Sequence, residues 1–565
     1  MNILEASALY VGSSTVKKVN KGTQMVLAPG GDQLWYKANE LPSLDLRFAE
    51  SKSLNDSVTG SNLITFTRAS IGTFVGADGL IKNAAANLLP YSEQLDEWII
   101  GNGSSVIANQ AAAPNGTNTA DRVQHGSGGS SWIRQDILTA GKTFTASVYA
   151  KAVTPGTNDQ FTFDIGGLSS VFTATNEWQR FTFTGTASNA AFYLNNGDDS
   201  FATDVYFWGA QVEEGSVATD YLPTTNTISG APRFDHDLVT GESLGLLIEE
   251  ARTNFALNSD SVPGSSIGTA IPNSTASVVS PRGITETVRQ LGRDIPAGGA
   301  QTWRVGSTSG GTPNTTYTIS FFAKTVAGGT TTINVDINDS TPVGGQATTI
   351  TGEWTRIVKT GGSRPNTLRF FDMNMVTATQ DFYVWGAQIE EGSFATSYIP
   401  TASSSVTRAA DVAEITGTNF SSFYNQSEGT VFAEVVSYPH PITGKDLLPF
   451  AYSDNTANNK VAIVGSTNSS QLNFDVVAGS LQRANLGNFT SPSLKAAGAY
   501  KATGSAGSLD GASVVTSSTP NIPSTINRLD IGNSHDGTQA LNGHIKRTVY
   551  FPVRLPDARL QSITS

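Results

Sequence analysis

Two pairs of adjacent glutamates, Glu213-Glu214 and Glu390-Glu391, are the residues of this 565-residue chain that most readily suggest chemistry, because glycoside hydrolysis runs on paired carboxylates. Successive residues on an extended chain point to opposite faces, so neither pair flanks one bond. A turn-capping or inter-domain role is the expectation for both. The letters G-x-S-x-G occur at Gly241-Glu-Ser-Leu-Gly and Gly264-Ser-Ser-Ile-Gly, but a nucleophile elbow needs a strand before the serine and a helix after it. Both lie in Gly/Ser-rich turns. The five histidines, His125, His236, His440, His535 and His544, are scattered without metal-ligand spacing, and there is no P-loop or dinucleotide fingerprint. With no cysteine, thiolate chemistry and disulfides are excluded. One polar run, Asp454, Asn455, Asn458 and Asn459, carries the oxygen ligands calcium prefers. The same residue types are favoured in a solvated hairpin loop, so calcium is the one cofactor to weigh and no other is expected.

The elements that carry these residues are set by a duplication. The stretch from Phe207 to Thr225, FWGAQVEEGSVATDYLPTT, returns as VWGAQIEEGSFATSYIPTA from Val384 to Ala402, with Trp208 and Trp385 177 residues apart. That is domain spacing, far longer than a solenoid repeat. FTASVYAK at Phe144 meets YTISFFAK at Tyr317, and EWQRF at Glu177 meets EWTRI at Glu353, so a whole module was copied. Apolar and polar residues alternate in Phe161-Thr-Phe-Asp-Ile and its neighbours, between Gly, Asn, Ser and Pro clusters. No long segment shows a helical stripe, and the fold class is all-β. Trp208 and Trp385 are expected in the sandwich cores.

Composition limits the partners. A net charge of −12 argues against nucleic acid, which needs a basic face. No run of 18 apolar residues exists, so membrane insertion is not expected, and the first residues lack a secretion signal. The chain divides into residues 1–37, two short strand-like runs suited to packing on a neighbour; a β-rich connector, 38–86; module 1, 87–226; a linker, 227–253; module 2, 254–407; and a distinct unit, 408–565.

Ile64-Thr-Phe-Thr-Arg-Ala-Ser with Ala77-Asp-Gly-Leu-Ile-Lys, the run Pro232-Arg-Phe-Asp-His through Glu249-Glu-Ala-Arg-Thr-Asn, and Trp385-Gly-Ala-Gln-Ile-Glu-Glu-Gly resemble structural proteins of tailed bacteriophages and phage-like particles. The two modules resemble jelly-roll carbohydrate-binding modules of phage fibres. The C-terminal unit, with Gly429-Thr-Val-Phe-Ala-Glu-Val, Leu509-Asp-Gly-Ala and Arg528-Leu-Asp-Ile-Gly, resembles a concanavalin-type, laminin-G-like sandwich. The implied architecture is multi-domain: two tandem jelly-roll β-sandwiches plus a C-terminal concanavalin-like β-sandwich.

A pyranose offers an apolar C–H face and a ring of hydroxyls, so a sugar site needs exposed aromatics flanked by amides and carboxylates. The aromatics that the copies do not share are the candidates: Trp98 and Trp132 in module 1 and Trp303 in module 2, with Asn195, Asn196, Asp198 and Asp199 as polar neighbours. The resemblance implies a non-enzymatic fibre or spike on the particle surface, synthesised in a bacterial cytoplasm, that binds host surface polysaccharide. Residues 1–37 would join other virion proteins, and a homo-oligomer is in keeping with such a part. A capsid or tail decoration protein, and more remotely a capsule-degrading enzyme, are the alternatives.

Overall fold

The computed structural model describes residues 40–565, apart from 128–130, 195–200, 269–271, 293–300, 308–311, 338–345, 365–368, 376, 438–445, 467–470, 490, 492 and 518–520. Of the first 39 residues it describes four two-residue strands, at 10–11, 14–15, 20–21 and 24–25, and the particle-attachment expectation for 1–37 otherwise lies outside the described residues. The described chain is all-β and antiparallel, and it forms two compact units. Asn83–Ala231 with Thr67–Ile71 make one unit, which is module 1. Module 2 and the C-terminal sandwich belong to the other.

Each module is a jelly-roll sandwich of two five-stranded sheets. In module 1 one sheet runs Ile99–Ile100, Ile133–Asp136, Ala191–Leu194, Gln160–Ile165, Leu168–Thr173. The facing sheet runs Ser104–Ala111, Ala120–His125, Thr203–Glu214, Thr143–Ala152, Gln179–Thr186. Module 2 repeats both orders strand for strand. The alternation read from sequence sets the layers: Phe161, Phe163 and Ile165 are buried between the sheets with Phe192 and Phe207. Thr162 and Asp164, at the intervening positions, take the outer face.

The repeated WGAQ-x-EEG signature is structural. Gly209 and Gly386 sit at φ 66° and 67°, each at a register shift against the neighbouring strand, which is the glycine bulge that L side chains resist. Trp208 and Trp385 are buried, but not between the sheets. They pack on the outer face of the closing strand beneath Tyr221 and Tyr398, at centroid distances of 4.8 Å in both copies. The core expectation is corrected: the returning chain covers the outer face and makes a second, smaller core there.

The glutamate pairs divide as the period-2 strand requires. Glu213 accepts bonds from Gln211 Nε2 and from the backbone and hydroxyl of Thr219, while Glu214 pairs with Lys142 at 2.8 Å. Glu390 likewise accepts from the Thr396 backbone and hydroxyl. Burial pushes the Glu390 carboxyl up, against the Thr396 and Gln388 hydrogen bonds. These carboxylates cap turns, as expected from sequence.

The C-terminal sandwich draws on more chain than 408–565. Its last long strand, Gly543–Phe551, pairs along one edge with both Leu44–Leu46 and Ser243–Ile248. Leu44, Leu46, Phe48, Leu246 and Ile248 share one buried core with Val431, Phe450, Phe474 and Tyr550. Residues 38–86 and 227–253, read from sequence as connector and linker, thus supply strands of this sandwich. In chain order, module 1 and then module 2 are insertions into it.

A buried ionic cluster ties module 2 to that sandwich. Arg233 contacts Glu249 at 2.8 Å and Asp411 at 2.5 Å, and Arg408 lies 3.5 Å from Glu249, all with side chains at most 1 % exposed. Ser397, from the tail of module 2, donates its backbone N–H and its hydroxyl to Glu249, both at 2.7 Å. Burial alone would raise the Glu249 carboxyl, but Arg408 and Arg233 outweigh it and hold the group well below the usual carboxylate range.

Candidate functional site

The outer face of the first module 1 sheet gathers the groups a polar, ring-shaped ligand requires. Register places Ile99, Arg134, Tyr193, Asp164 and Ser169 side by side across the five strands, on the side opposite Ile133, Leu194 and Phe163, which face the core; Ile99 and Ser169 are exposed, Arg134 and Tyr193 half-buried, and Asp164 is buried. Trp132, two residues before Arg134, falls on the same face. Its ring meets Tyr193 edge-on, at 5.9 Å and 89°.

Arg134 sits between these rings, its Cζ 5.0 Å from the Trp132 centroid and 5.7 Å from Tyr193. Its Nη1 donates to the Tyr193 hydroxyl at 3.0 Å, and its nearest carboxylate, Asp136, is 3.5 Å away. The Tyr193 bond outweighs partial desolvation and, with Asp136, keeps the guanidinium above its already high pKa. Ile99, 48 % exposed, extends the apolar edge. The row offers two half-buried aromatic rings and a guanidinium on paired strands, a layout suited to ring stacking with directional hydrogen bonds at its rim.

Module 2 closes the equivalent row. Its register aligns Ser265, Arg304, Asp372 and Asp336, and Arg304 holds Asp372 through Nε at 2.7 Å and Nη2 at 2.6 Å while its Cζ lies 3.7 Å from the Phe370 centroid. Thr302, fully buried, stands where module 1 has Trp132. No aromatic ring is presented there among the described residues of the row.

Of the aromatics singled out from sequence, only Trp132 lies on this face. Trp98 is a core residue, 5 % exposed, with Nε1 bonded to the Tyr91 carbonyl, and Trp303 is 4 % exposed between the sheets of module 2. Both are corrections: Trp303 occupies an inward register position in its strand, and Trp98, which closes the short 3-10 turn Leu95–Glu97, packs into the core against Phe192. Asn195, Asn196, Asp198 and Asp199 lie outside the described residues. Arg134 and Tyr193 were missed. The signal available was FYLN at Phe192 against FDMN at Phe371, where a tyrosine replaces an aspartate.

The polar run weighed for calcium is a hydrogen-bonded hairpin loop. Asp454 Oδ1 accepts from Thr456, and Oδ2 from Asn459 Nδ2 at 2.8 Å and Thr525 Oγ1 at 2.9 Å. Asn458 donates its backbone N–H to Thr456 at 3.2 Å. Arg528 Nη1 donates to Asn455 Oδ1 at 3.0 Å. Among the described residues no group of three or more His, Cys, Asp or Glu converges.

Two clefts complete the survey. One of about 780 Å³ is lined by Glu250, Arg252, Thr253 and Phe255 with Glu391 and Thr538; Arg252 is held by Glu250 at 2.6 Å. A second of about 470 Å³ is lined by Phe420, Tyr424, Asn455 and Arg528, and there Arg528 is held by Asp530 and Glu414, both at 2.5 Å. In each the arginine is engaged within the protein.

No protein family and no curated protein matches the chain. Among solved structures it is similar to the tandem CBM22-1–CBM22-2 domain of Paenibacillus barcinonensis Xyn10C, at 15% identity over 54% of this chain and 97% of that one, TM-score 0.18. It is similar to the tandem CBM51 modules of Sp3GH98, the family 98 glycoside hydrolase of Streptococcus pneumoniae SP3-BS71, at 10% identity over 58% and 93%, TM-score 0.15. Trypanosoma rangeli sialidase in complex with 2,3-difluorosialic acid gives 10% identity over 92% and 96%, TM-score 0.21. Likenesses at these scores carry no argument about ligand or reaction.

Proposed function

We propose that this chain is a glycan-binding attachment protein of a phage or phage-like particle, without enzymatic activity, taking host surface polysaccharide on the outer face of module 1. The observation that carries the binding reading is the row Ile99, Arg134 and Tyr193 with Trp132 beside it, a partly exposed aromatic and cationic strip held on paired strands. The particle rests on the sequence motifs at Ile64, Pro232 and Trp385. Residues 1–37 would anchor the chain to other virion proteins, and many copies per particle would turn weak single sites into firm attachment.

The test is a glycan array probed with the whole protein, followed by titration of any hit. Trp132→Ala should weaken that hit about tenfold, the equivalent of about 1.4 kcal/mol, with the circular-dichroism spectrum unchanged. Unaltered affinity would remove the face from consideration. A second reading, a decoration protein with a structural role, draws on module 2, whose equivalent row is closed internally by Arg304 and Asp372. Absence of binding to any glycan, with particle instability on deletion of the protein, would favour it.

A further inference from the structure

We propose that the ligand of the module 1 face is an acidic glycan, whose sugar carboxylate docks on Arg134. This rests on the glycan reading above and specifies its chemical class. The two modules are internal controls for one another, since their strands pair in the same order. In module 2 the arginine of the row is satisfied by a carboxylate in the planar two-bond fork, Nε and Nη2 of Arg304 to both oxygens of Asp372.

In module 1 the arginine is retained and the carboxylate is gone. Tyr193 occupies the register position of Asp372, and its hydroxyl engages Nη1 alone. Arg134 Nε is buried with no acceptor among the described residues, and Asp136 approaches Nη2 only to 3.5 Å. A buried donor without an acceptor costs about 1–3 kcal/mol, so the guanidinium is less fully satisfied here than in module 2. The Arg134 side chain is 31 % exposed and Asp136 is 45 % exposed, so an incoming carboxylate reaches the guanidinium by displacing a loosely held, solvated partner.

The surroundings select a sugar acid over a free carboxylate. Trp132 lies under the same guanidinium and offers its ring to the apolar face of the sugar that bears the acid. Asp164, across from Tyr193, is buried and accepts from the Gly167 N–H, so the guanidinium of Arg134 is the charged group of the row that reaches solvent. Hexuronic acids and nonulosonic acids both present this chemistry.

The experiment titrates the full-length protein with polygalacturonate, polysialic acid and dextran, and with the first two after chemical reduction of their carboxylates to alcohols. Binding to at least one acidic polymer is expected, at least tenfold weaker after reduction, and which polymer binds separates uronate from nonulosonate. Tyr193→Asp, which rebuilds the internal pair of module 2, should abolish binding without lowering the melting temperature. Equal affinity for reduced and native polymers, preference for dextran, or undiminished binding by Tyr193→Asp would overturn the acidic requirement while leaving glycan binding intact. Absence of binding to these polymers and to every glycan on the array would overturn both.

Discussion

His125 is enclosed in module 1, 3 % exposed, with its Nδ1 2.5 Å from Ser104 Oγ. Burial pushes its imidazole down to about 4, so the fold favours the neutral ring. The sign follows from linkage. A depressed pKa means that the stabilisation is complete above the unfolded value, about 6.5, and is lost as pH falls through about 4. Over that window the loss approaches about 3 kcal/mol, since each pKa unit is worth about 1.4 kcal/mol. Melting of the whole protein from pH 7 to pH 4 should show the transition of module 1 falling faster than in His125→Gln, which has no proton to take up. Identical pH profiles for the two proteins would show that His125 is not the acid-sensitive group. Trp132, in the same module, illustrates a different sensitivity. Moved one residue along its strand it would point into the core, as Trp303 does.

At the scale of elements, each jelly roll is fastened by one asparagine. Asn87 Nδ2 donates to the carbonyls of Ala210 and Leu222, and its Oδ1 accepts from the N–H groups of Leu89 and Val212. Asn254 repeats this with Ala387, Ile399, Ala256 and Ile389 at 2.8–3.1 Å, and both asparagines are fully buried. One side chain thereby satisfies backbone groups of the entry strand, the closing strand and the returning tail. Asn254→Ala strands four such groups and should cost about 3 kcal/mol or more in denaturant unfolding, whereas Thr253→Ala, next to it, half-buried and bonded through its hydroxyl to Thr407, should cost about 1 kcal/mol or less.

The repeat, the strands and the turn role of Glu213 and Glu390 were legible because period-2 alternation and near-identical letters mark them locally. The face of Arg134 and Tyr193 was not legible, because it exists only once register sets five separate strands side by side. The runs Leu44–Leu46 and Ser243–Ile248 carry no mark of their partner either, since the strand with which both pair begins only at Gly543.

For the molecule as a whole, Arg233, Glu249, Arg408 and Asp411 make module 2 and the C-terminal sandwich interdependent. Two guanidiniums and two carboxylates out of reach of water balance only as a set. Removing one leaves an uncompensated charge, for which about 3–5 kcal/mol is the ordinary cost. Arg233→Met should therefore lower the shared unfolding transition of module 2 and the sandwich and leave that of module 1 in place, as read by calorimetry. A drop in all transitions alike would show that the cluster does not act locally. Among the described residues no helix is long and apolar enough to cross a membrane.

The sandwich assembled from three separated stretches of chain also imposes an order of events on the ribosome. Arg547 bonds to Asp45 across 502 residues of sequence, so the strand at Leu44 waits for a partner synthesised long after it. At roughly 5–20 residues per second the wait is roughly 25–100 s, during which both inserted modules have time to close on their own local pairings. Nascent chains arrested before Gly543 should yield protease-resistant fragments of the modules and leave residues 40–66 open to cleavage. Emergence of Gly543–Phe551 is then the step that seals the sandwich, which makes termination ahead of that strand, rather than loss of either module, the error this architecture tolerates least.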